Sequence, residues 1–305
     1  MADFPAQQDR EDQWIGKVLL GDYAIVALIG KGAMARVYQA KQKSTGNYLA
    51  LKTLTTTEEG LVARFAKEVH VHSKLKHRNI VESFGCINDA GTGQAFFVME
   101  LQEKIKNQGA ESSPEVVMNI AGQLCDALSY AHSMEIIHRD LKPANVVLLQ
   151  QQGPPVVKVV DFGIAKARNE TVQLTMPGQV VGSPIYMSPE QCRGLELDPR
   201  ADVYSLGCLL YEMITGNVPY YSKNVMQIMN SHCKPEIRPK PVKAFCPDIP
   251  GSDEIDQILV KALQTEREKR FQSVLEVKSA IENWYQSLSL GRDDDAHVAV
   301  PPRNS

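Results

Sequence analysis

The sequence predicts an α+β protein, in which a small strand-rich part is followed by a larger part that is mainly helical. Two observations support this prediction. Short apolar runs typical of β-strands are concentrated before residue 102, whereas apolar residues at helical spacing dominate after residue 113. A chain of 305 residues is long enough to bury one large core or two lobes.

Four segments of the first part have the patterns of strands. They are residues 23–29, the second half of 30–40, residues 48–54 and residues 95–101. The turn between the first two contains Gly30 and Gly32, and glycines allow main-chain N–H groups to approach phosphate oxygens closely. Because paired glycines also occur in many ordinary hairpins, this turn alone is weak evidence for nucleotide binding.

Three further segments are predicted to be helices. The first covers about residues 58–75, where apolar residues recur at helical spacing and share a face with Glu68. The second begins after Ser113, because the proline that follows is tolerated in the first turn of a helix. The third covers residues 198–216, and its apolar pattern stops at a glycine.

Two polar motifs interrupt the apolar pattern of the larger part. The run I-H-R-D-L-K-P-A-N at residues 137–145 places charged and amide groups between apolar residues. The motif D-F-G at residues 161–163 follows a predicted strand at residues 156–160. A solvated turn is the alternative interpretation of residues 137–145, but several matching motifs follow at fitting distances.

These motifs resemble those of the eukaryotic-type protein kinases, most closely the bacterial branch of the Ser/Thr kinases. The resemblance covers about residues 21–288, with G-x-G at residues 30–32 and G-S-P-I-Y-M-S-P-E at residues 182–190. It implies a bilobal protein-kinase fold, with a small β-rich N-lobe and a larger, mainly helical C-lobe. It also implies serine/threonine protein kinase activity, in which the γ-phosphoryl group of ATP is transferred to protein hydroxyls.

The resemblance implies four catalytic residues. Asp140 would orient the substrate hydroxyl and accept its proton, while Lys142 would neutralise charge on the γ-phosphate. Lys52 would hold the α- and β-phosphates and pair with Glu68. A lysine that points inward from a buried strand is costly without an anion, whereas an exposed carboxylate is the alternative interpretation of Glu68.

The cofactors implied by the resemblance are ATP and Mg²⁺. Asn145 and Asp161 would be the metal ligands, because magnesium prefers carboxylate, amide and phosphate oxygens. The nucleotide-binding residues would be Gly30, Lys31, Gly32, Val37, Ala50, Lys52, Met99, Glu100, Gln102 and Val147. The sequence departs from the family pattern twice. Ala35 occupies the third glycine position, and the segment 102–113 is shorter than is typical, which leaves the ribose contact unassigned.

Residues 161–190 correspond to an activation loop in this resemblance. Ser183 would bridge Asp140 and Lys142, as expected for Ser/Thr rather than Tyr specificity. Residues 137–145 correspond to the catalytic loop of the family, and a phosphate on Thr171 or Thr175 would pair with the Arg139 guanidinium of that loop and order the segment.

The resemblance also implies supporting roles for three residues. Asp202 would bind the main chain of the catalytic loop, although a helix N-terminus also favours an acidic residue at this position. Glu190 would pair with Arg270, and both would be structural.

Composition narrows the choice of partner and compartment. A net charge of -3 does not indicate the excess of basic residues that is typical of nucleic-acid-binding proteins. No apolar run is long enough for a membrane span. The six cysteines show no paired spacing, and His70, His72 and His77 are interpreted as solvated or hydrogen-bonded rather than metal ligands. The expected partners are protein substrates that carry Ser or Thr, with transient self-association for autophosphorylation, in the cytoplasm.

The predicted domain organisation has four segments. Residues 1–20 form a flexible N-terminal segment, 21–101 the N-lobe, 102–288 the C-lobe and 289–305 a disordered tail. Two alternatives stay open. The first is a pseudokinase, which would bind nucleotide without transferring its phosphoryl group. The second is a small-molecule kinase, which would lack the segment corresponding to residues 182–190 that ends the activation loop and docks peptides in the family.

Overall fold

The computed structural model describes residues 12–32, 35–56, 58–89, 91–101, 113–149, 154–162 and 184–294. These residues belong to two compact units. The first unit contains the described residues up to 101 together with Phe162, and the second contains those of 113–161 and 184–294. The inclusion of Phe162 in the first unit is a feature that the sequence boundaries did not anticipate.

The first unit is built on one antiparallel sheet. Its strands are β1 Val18–Leu19, β2 Tyr23–Lys31, β3 Ala35–Gln42, β4 Tyr48–Leu54, β5 Ser83–Asn88 and β6 Ala95–Glu100. The strand order is β1-β2-β3-β4-β6-β5, so β4 lies between β3 and β6. The register places Lys52 of β4 opposite Val37 on one side and Phe97 on the other.

The core of the first unit combines the sheet with helix α1, Glu59–His72. Aromatic and aliphatic residues of the sheet are fully buried, including Tyr38, Leu51 and Phe96. His72 is also buried, and its ring lies edge-on at 5.4 Å from Phe97 and 5.8 Å from Phe162, measured between ring centroids. His72 is therefore a core residue and not a solvated one, because two phenylalanine rings enclose it.

The described residues before β2 are packed onto the sheet, which differs from the flexible segment predicted over residues 1–20. Trp14 is buried with its ring edge-on at 4.9 Å from Phe96, and β1 pairs with β2. A buried tryptophan contributes a large apolar area, which explains why this short segment is ordered.

The second unit is mainly helical. Its helices are α2 Pro114–Ser133, α3 Pro189–Cys192, α4 Arg200–Thr215, α5 Val225–Cys233, α6 Ser252–Ala262 and α7 Val274–Asp294. A hairpin of β7 Val146–Leu149 and β8 Val156–Val159 accompanies them. The predicted helix boundaries at Ser113 and Gly216 are confirmed. Ser113 caps α2 by accepting from an N–H of the first turn, and Gly216 ends α4 at φ 67°.

Helix α4 lies at the centre of the second unit, and nearly all of its residues are buried. Helix α7 continues to Asp294, past the start of the tail predicted at residue 289, and residues 295–305 lie outside the described part of the chain. No helix among the described residues combines the length and the hydropathy needed to cross a bilayer.

Candidate active site

The first unit brings Lys52 and Glu68 together. Lys52 Nζ lies 2.9 Å from Glu68 Oε1, and the two side chains are only 13% and 11% exposed. Strand β4 supplies the lysine, and the inward face of α1 supplies the carboxylate. Removing either residue would leave the charge of the other largely buried and without this ion pair, which destabilises a folded protein.

The residues of the first unit that are predicted to bind nucleotide lie on strands β2, β3, β4 and β6 or in the glycine turn. Gly30 and Lys31 end β2, and the N–H of Gly32 donates to the carbonyl of Ala35 at 2.9 Å. A Cβ on Gly30 would lie 3.3 Å from the Cβ of Val37, so the two strands approach closely there.

Further predicted nucleotide residues lie on β4 and β6. Ala50 is buried on β4 and pairs in register with Met99 of β6. Glu100 follows Met99, and its N–H donates to the carbonyl of Glu82 at 2.9 Å. Val147 is buried on β7 and belongs to the second unit.

The second unit brings Asp140, Lys142 and Asn145 together. Lys142 Nζ lies 2.7 Å from Asp140 Oδ2, and Asn145 Nδ2 donates to the same oxygen at 3.1 Å. Asn145 Nδ2 also donates to the Asp140 carbonyl at 2.8 Å. A short 3-10 turn at Pro143–Asn145 folds the amide back onto the aspartate.

These contacts fix the orientation of the Asn145 amide. Both neighbours of Nδ2 are oxygen acceptors, so the nitrogen must face Asp140 and the amide oxygen must point the other way. Among the described residues, no group donates a hydrogen bond to the Asn145 amide oxygen. The amide therefore presents a hard oxygen ligand of the type that magnesium binds.

His138 connects the catalytic loop to the end of β8. Its Nδ1 accepts from the N–H of Asp140 at 3.2 Å, so in the neutral ring Nε2 carries the proton and donates to the carbonyl of Val160 at 3.2 Å. Burial lowers the pKa of His138, which favours this neutral form. The sequence interpretation assigned His138 no role, since nothing in the motif itself reveals this contact.

Asp161 follows directly after Val160. The N–H of Val160 donates to the carbonyl of Asn145 at 2.9 Å, and this bond brings the two predicted metal ligands to adjacent segments. Asp161 has φ 54°, which is unusual for a residue with a side chain. Among the described residues, no three His, Cys, Asp or Glu side chains converge on a metal site. Magnesium that also binds phosphates needs only one or two protein ligands, so an amide and a carboxylate fit.

Asp202 binds the catalytic loop as predicted. The N–H groups of His138 and Arg139 donate to its carboxylate at 2.8 and 3.0 Å, and His132 Nε2 lies 2.7 Å away. Burial acts to raise the pKa of Asp202, but the hydrogen bond and electrostatic interaction with His132, together with the bond donated by the His138 N–H, hold it below the usual value. The carboxylate thus stays ionised and able to accept all three bonds.

Gln191 is a supporting residue that the sequence interpretation missed. Its Oε1 accepts from the N–H of Ser188 at 2.9 Å, and its Nε2 donates to the carbonyl of Arg139 at 2.6 Å. Ser188 and Gln191 form a capping box at the start of α3. The S-x-x-Q spacing is the signal that predicts such a box, although not its contact with the catalytic loop.

The predicted pair of Glu190 and Arg270 is confirmed. Arg270 NH1 and NH2 donate to the two carboxylate oxygens of Glu190, each at 2.7 Å, and both residues are buried. This two-bond geometry fastens α3 to the segment before α7.

The remaining predicted site residues lie outside the described part of the chain. They are Gln102 of the nucleotide set, and Thr171, Thr175 and Ser183 of the activation loop. The short segment 102–112 lies outside it as well.

Comparison with known proteins identifies the family. Residues 23–284 match the protein kinase domain. Serine/threonine-protein kinase pkn3 of Myxococcus xanthus is 37% identical over 267 residues, which cover 83% of this chain and 48% of that protein. Pkn1 of the same organism, also named a serine/threonine-protein kinase, is 33% identical over 282 residues, covering 90% of this chain and 40% of that protein.

Solved structures agree with this family. The PknI kinase domain of Mycobacterium tuberculosis aligns with a TM-score of 0.67 and 27% identity, covering 88% of this chain and 98% of that one. Rad53 in complex with AMP-PNP aligns with a TM-score of 0.69 and 27% identity, covering 87% of this chain and 65% of that one.

The chain belongs to the protein kinase family, and its relatives include Ser/Thr kinases of the bacterial branch of the eukaryotic-type kinases. Its fold is the bilobal kinase fold, with a β-rich N-lobe and a mainly helical C-lobe. The chain spans about half or less of the length of these curated relatives.

Proposed function

We propose that this protein is an ATP-dependent serine/threonine protein kinase, which transfers the γ-phosphoryl group to Ser or Thr hydroxyls of protein substrates. The observation that carries the proposal is the convergence of Lys142 and Asn145 on the carboxylate of Asp140, at 2.7 and 3.1 Å. A carboxylate held in this way suits the acceptance of a proton from a hydroxyl. A cation beside it suits the neutralisation of phosphate charge.

Asp140 accepts the proton of the attacking hydroxyl at its carboxylate and holds that hydroxyl in position. Lys142 stabilises negative charge on the transferring group. The hydrogen bonds that the N–H groups of His138 and Arg139 donate to the Asp202 carboxylate keep the loop in place during transfer. The protein contributes chiefly position and electrostatic stabilisation, since phosphoryl transfer requires little covalent chemistry from the side chains.

Lys52 binds the α- and β-phosphates, and Glu68 orients the lysine through the 2.9 Å ion pair. Asn145 and Asp161 are proposed to hold Mg²⁺, which when bound neutralises phosphate charge and orients the γ-phosphoryl group. The oriented amide oxygen of Asn145 supports this assignment, because it faces away from Asp140 and meets no donor among the described residues.

The nucleotide is proposed to lie against the glycine turn and the central strands. Gly30, Lys31 and Gly32 contact phosphates through the main chain, while apolar side chains contact the adenine ring. The apolar set is Val37, Ala50, Met99 and Val147, with main-chain contacts near Glu100 and Gln102.

Regulation and partners follow the same resemblance. Ser183 is proposed to support Ser/Thr specificity, and phosphates on Thr171 or Thr175 to order the activation loop through Arg139. Transient self-association would allow autophosphorylation. The cytoplasmic location and the absence of nucleic-acid partners stay predictions from the sequence.

The test is transfer of label from [γ-³²P]ATP in the presence of Mg²⁺ to a protein acceptor and to the chain itself, with mapping of the labelled residues. We expect label on Ser and Thr. Asp140→Asn should lower turnover by about 10²-fold or more, because it removes the proton acceptor but keeps the shape of the side chain. Nucleotide affinity should be nearly unchanged.

The matched control is Asp248→Asn, the same chemical change at an exposed position. It should leave turnover at the wild-type level. Binding of ATP and Mg²⁺ without any transfer of label would refute the proposal and support a pseudokinase instead.

A further inference from the structure

The described residues before β2 form a packed segment on the edge of the sheet. We call residues 12–19 the N-terminal strap. Trp14 is only 4% exposed, and Lys17 Nζ lies 4.3 Å above its ring. The N–H of Gly16 donates to the carbonyl of Ile25, and the N–H of Ile25 donates to the carbonyl of Lys17, both at 2.9 Å. The strap is therefore fastened to β2 by main-chain bonds and by a buried aromatic ring.

Asp12 attaches the strap to β3. Its Oδ2 accepts from Arg36 NH1 at 2.6 Å, and its Oδ1 accepts from the Tyr38 hydroxyl at 2.9 Å and from the N–H of Trp14 at 3.1 Å. The Asp12 side chain is only 6% exposed. Burial raises the pKa of Tyr38 to about 12, so its hydroxyl keeps the proton that it donates.

Arg36 lies where β3 leaves the glycine turn. It pairs in register with Lys31, and the next pair along the hairpin joins Gly30 to Val37. The Arg36 Nε atom is buried and has no hydrogen-bond partner among the described residues. Asp12 is the carboxylate that pairs with the Arg36 guanidinium, whose side chain is 32% exposed, so removal of Asp12 would leave a partly buried cation without this counter-charge.

We propose that Asp12 is a positioning residue for nucleotide binding, which braces the glycine turn through Arg36 before the nucleotide arrives. The inference rests on the proposed function, since it concerns the same nucleotide site. Where the flanks of the turn at residues 30–32 and 35–37 are already ordered, less conformational freedom is lost when phosphates bind, so Asp12 strengthens binding without touching the ligand.

The experiment compares Asp12→Ala with Asp22→Ala. Asp22 is a matched control because its carboxylate makes a similar three-bond network at the opposite end of the β2–β3 hairpin, far from the glycine turn. Its carboxylate accepts from Gln42 Nε2 at 2.9 Å and from the N–H and hydroxyl of Ser44 at 2.7 and 2.8 Å. Tyr23 pairs with Gln42 at that end. Loss of either network should lower the melting temperature.

Only Asp12→Ala should affect the turn. We expect faster hydrogen exchange at the amides of residues 30–32 and 35–37 in the absence of nucleotide. The Kd for ATP with Mg²⁺ and the KM for ATP should rise roughly three- to tenfold, with no change in the KM for the protein acceptor. Equal exchange at these amides in the two variants, or equal Kd values for ATP, would overturn the proposal.

Two further variants keep the test decisive if Asp12→Ala does not fold. Asp12→Asn keeps an acceptor for Tyr38 but loses the charge that Arg36 needs, so it should show a smaller effect in the same direction. Arg36→Met should add little in the Asp12→Asn background, because the two changes break one interaction. Additive effects of Asp12→Asn and Arg36→Met on hydrogen exchange and on the Kd for ATP would contradict the proposed role of Asp12. Failure of the wild type to bind ATP would refute the proposed function, while the exchange comparison without nucleotide would still decide the role of Asp12.

Discussion

At the scale of single residues, two side-chain-bearing positions of the candidate site have left-handed backbones. Arg139 has φ 66° and Asp161 has φ 54°. Such conformations cost about 1–2 kcal/mol and persist only where surrounding contacts impose them. At Arg139 both main-chain groups are held, since its N–H donates to Asp202 and its carbonyl accepts from Gln191. These partners lie 63 and 52 positions away in the chain, so local sequence patterns carry no sign of them.

Asp161→Asn is the sharpest test at this scale. Asparagine tolerates positive φ, so the variant should fold with a melting temperature close to that of the wild type. Its neutral amide lacks the charge that holds a divalent ion, and we expect magnesium-dependent turnover to fall by about 10²-fold or more. Turnover would be measured during a magnesium titration, with Asp248→Asn as the control. Normal turnover in Asp161→Asn would show that the metal assignment is wrong.

At the scale of elements, close approach between helices is the feature that local patterns do not reveal. Gly207 lies within α4, and a Cβ at that position would lie 2.9 Å from the Ala262 Cβ of α6. Gly122 lies within α2, where a Cβ would meet only the Lys278 Cε of α7, at 3.9 Å. The first glycine allows two backbones to pack closely, whereas the second has room for a methyl group.

These two glycines give a matched pair of substitutions. Gly122→Ala should stabilise the protein by up to about 1 kcal/mol, because alanine has the higher helix propensity and meets no clash. Gly207→Ala gains the same propensity but forces α4 and α6 apart, and we expect a net loss of about 1–3 kcal/mol. Thermal unfolding of both variants measures the difference. A Gly207→Ala protein that is as stable as Gly122→Ala would contradict the close packing described for α4.

At the scale of the whole molecule, buried ionisable groups make the stability depend on pH. His232 is buried in the second unit, where its Nδ1 lies 2.8 Å from the Tyr204 hydroxyl and its ring packs edge-on against Tyr220. Burial lowers the pKa of His232 to about 4, although the main chain at Pro184 and Ile185 acts in the opposite direction. The folded protein therefore holds this ring neutral at pH values where an exposed histidine takes up a proton.

The expected pH dependence follows from that difference. Below pH 6.5 the unfolded chain binds a proton at His232 that the folded chain does not bind until about pH 4. The contribution of His232 to stability is thus complete above pH 6.5 and is lost as the pH falls towards 4, by up to about 1.4 kcal/mol per pH unit. In His232→Gln, the fall in melting temperature between pH 7 and pH 5 should be smaller than in the wild type.

The control for this measurement is His70→Gln, because His70 is exposed on α1. It should show the same fall between pH 7 and pH 5 as the wild type. If the melting temperature fell equally in His232→Gln and in the wild type, the buried His232 ring would not contribute to the pH dependence of stability.

The sequence by itself determined the class of fold, the family and the order of the motifs, because these depend on patterns within short segments. The strand at Tyr48–Leu54 and the capped start of α2 follow from spacing and residue type, whereas the pairing partner of Arg270 follows from the family resemblance of its motif. The predicted roles of Asp140, Lys52 and Asp161 likewise come from the sequence and stay predictions until they are tested by substitution.

Only the tertiary structure decided which groups orient those residues. The neutral ring of His138 between Asp140 and Val160, the contact from Gln191 to Arg139 and the strap held by Asp12 join segments that are distant in the chain. Such contacts depend on distances between folded elements and on the burial of each group. A linear pattern contains neither quantity, which is the physical reason that they appear only in the folded protein.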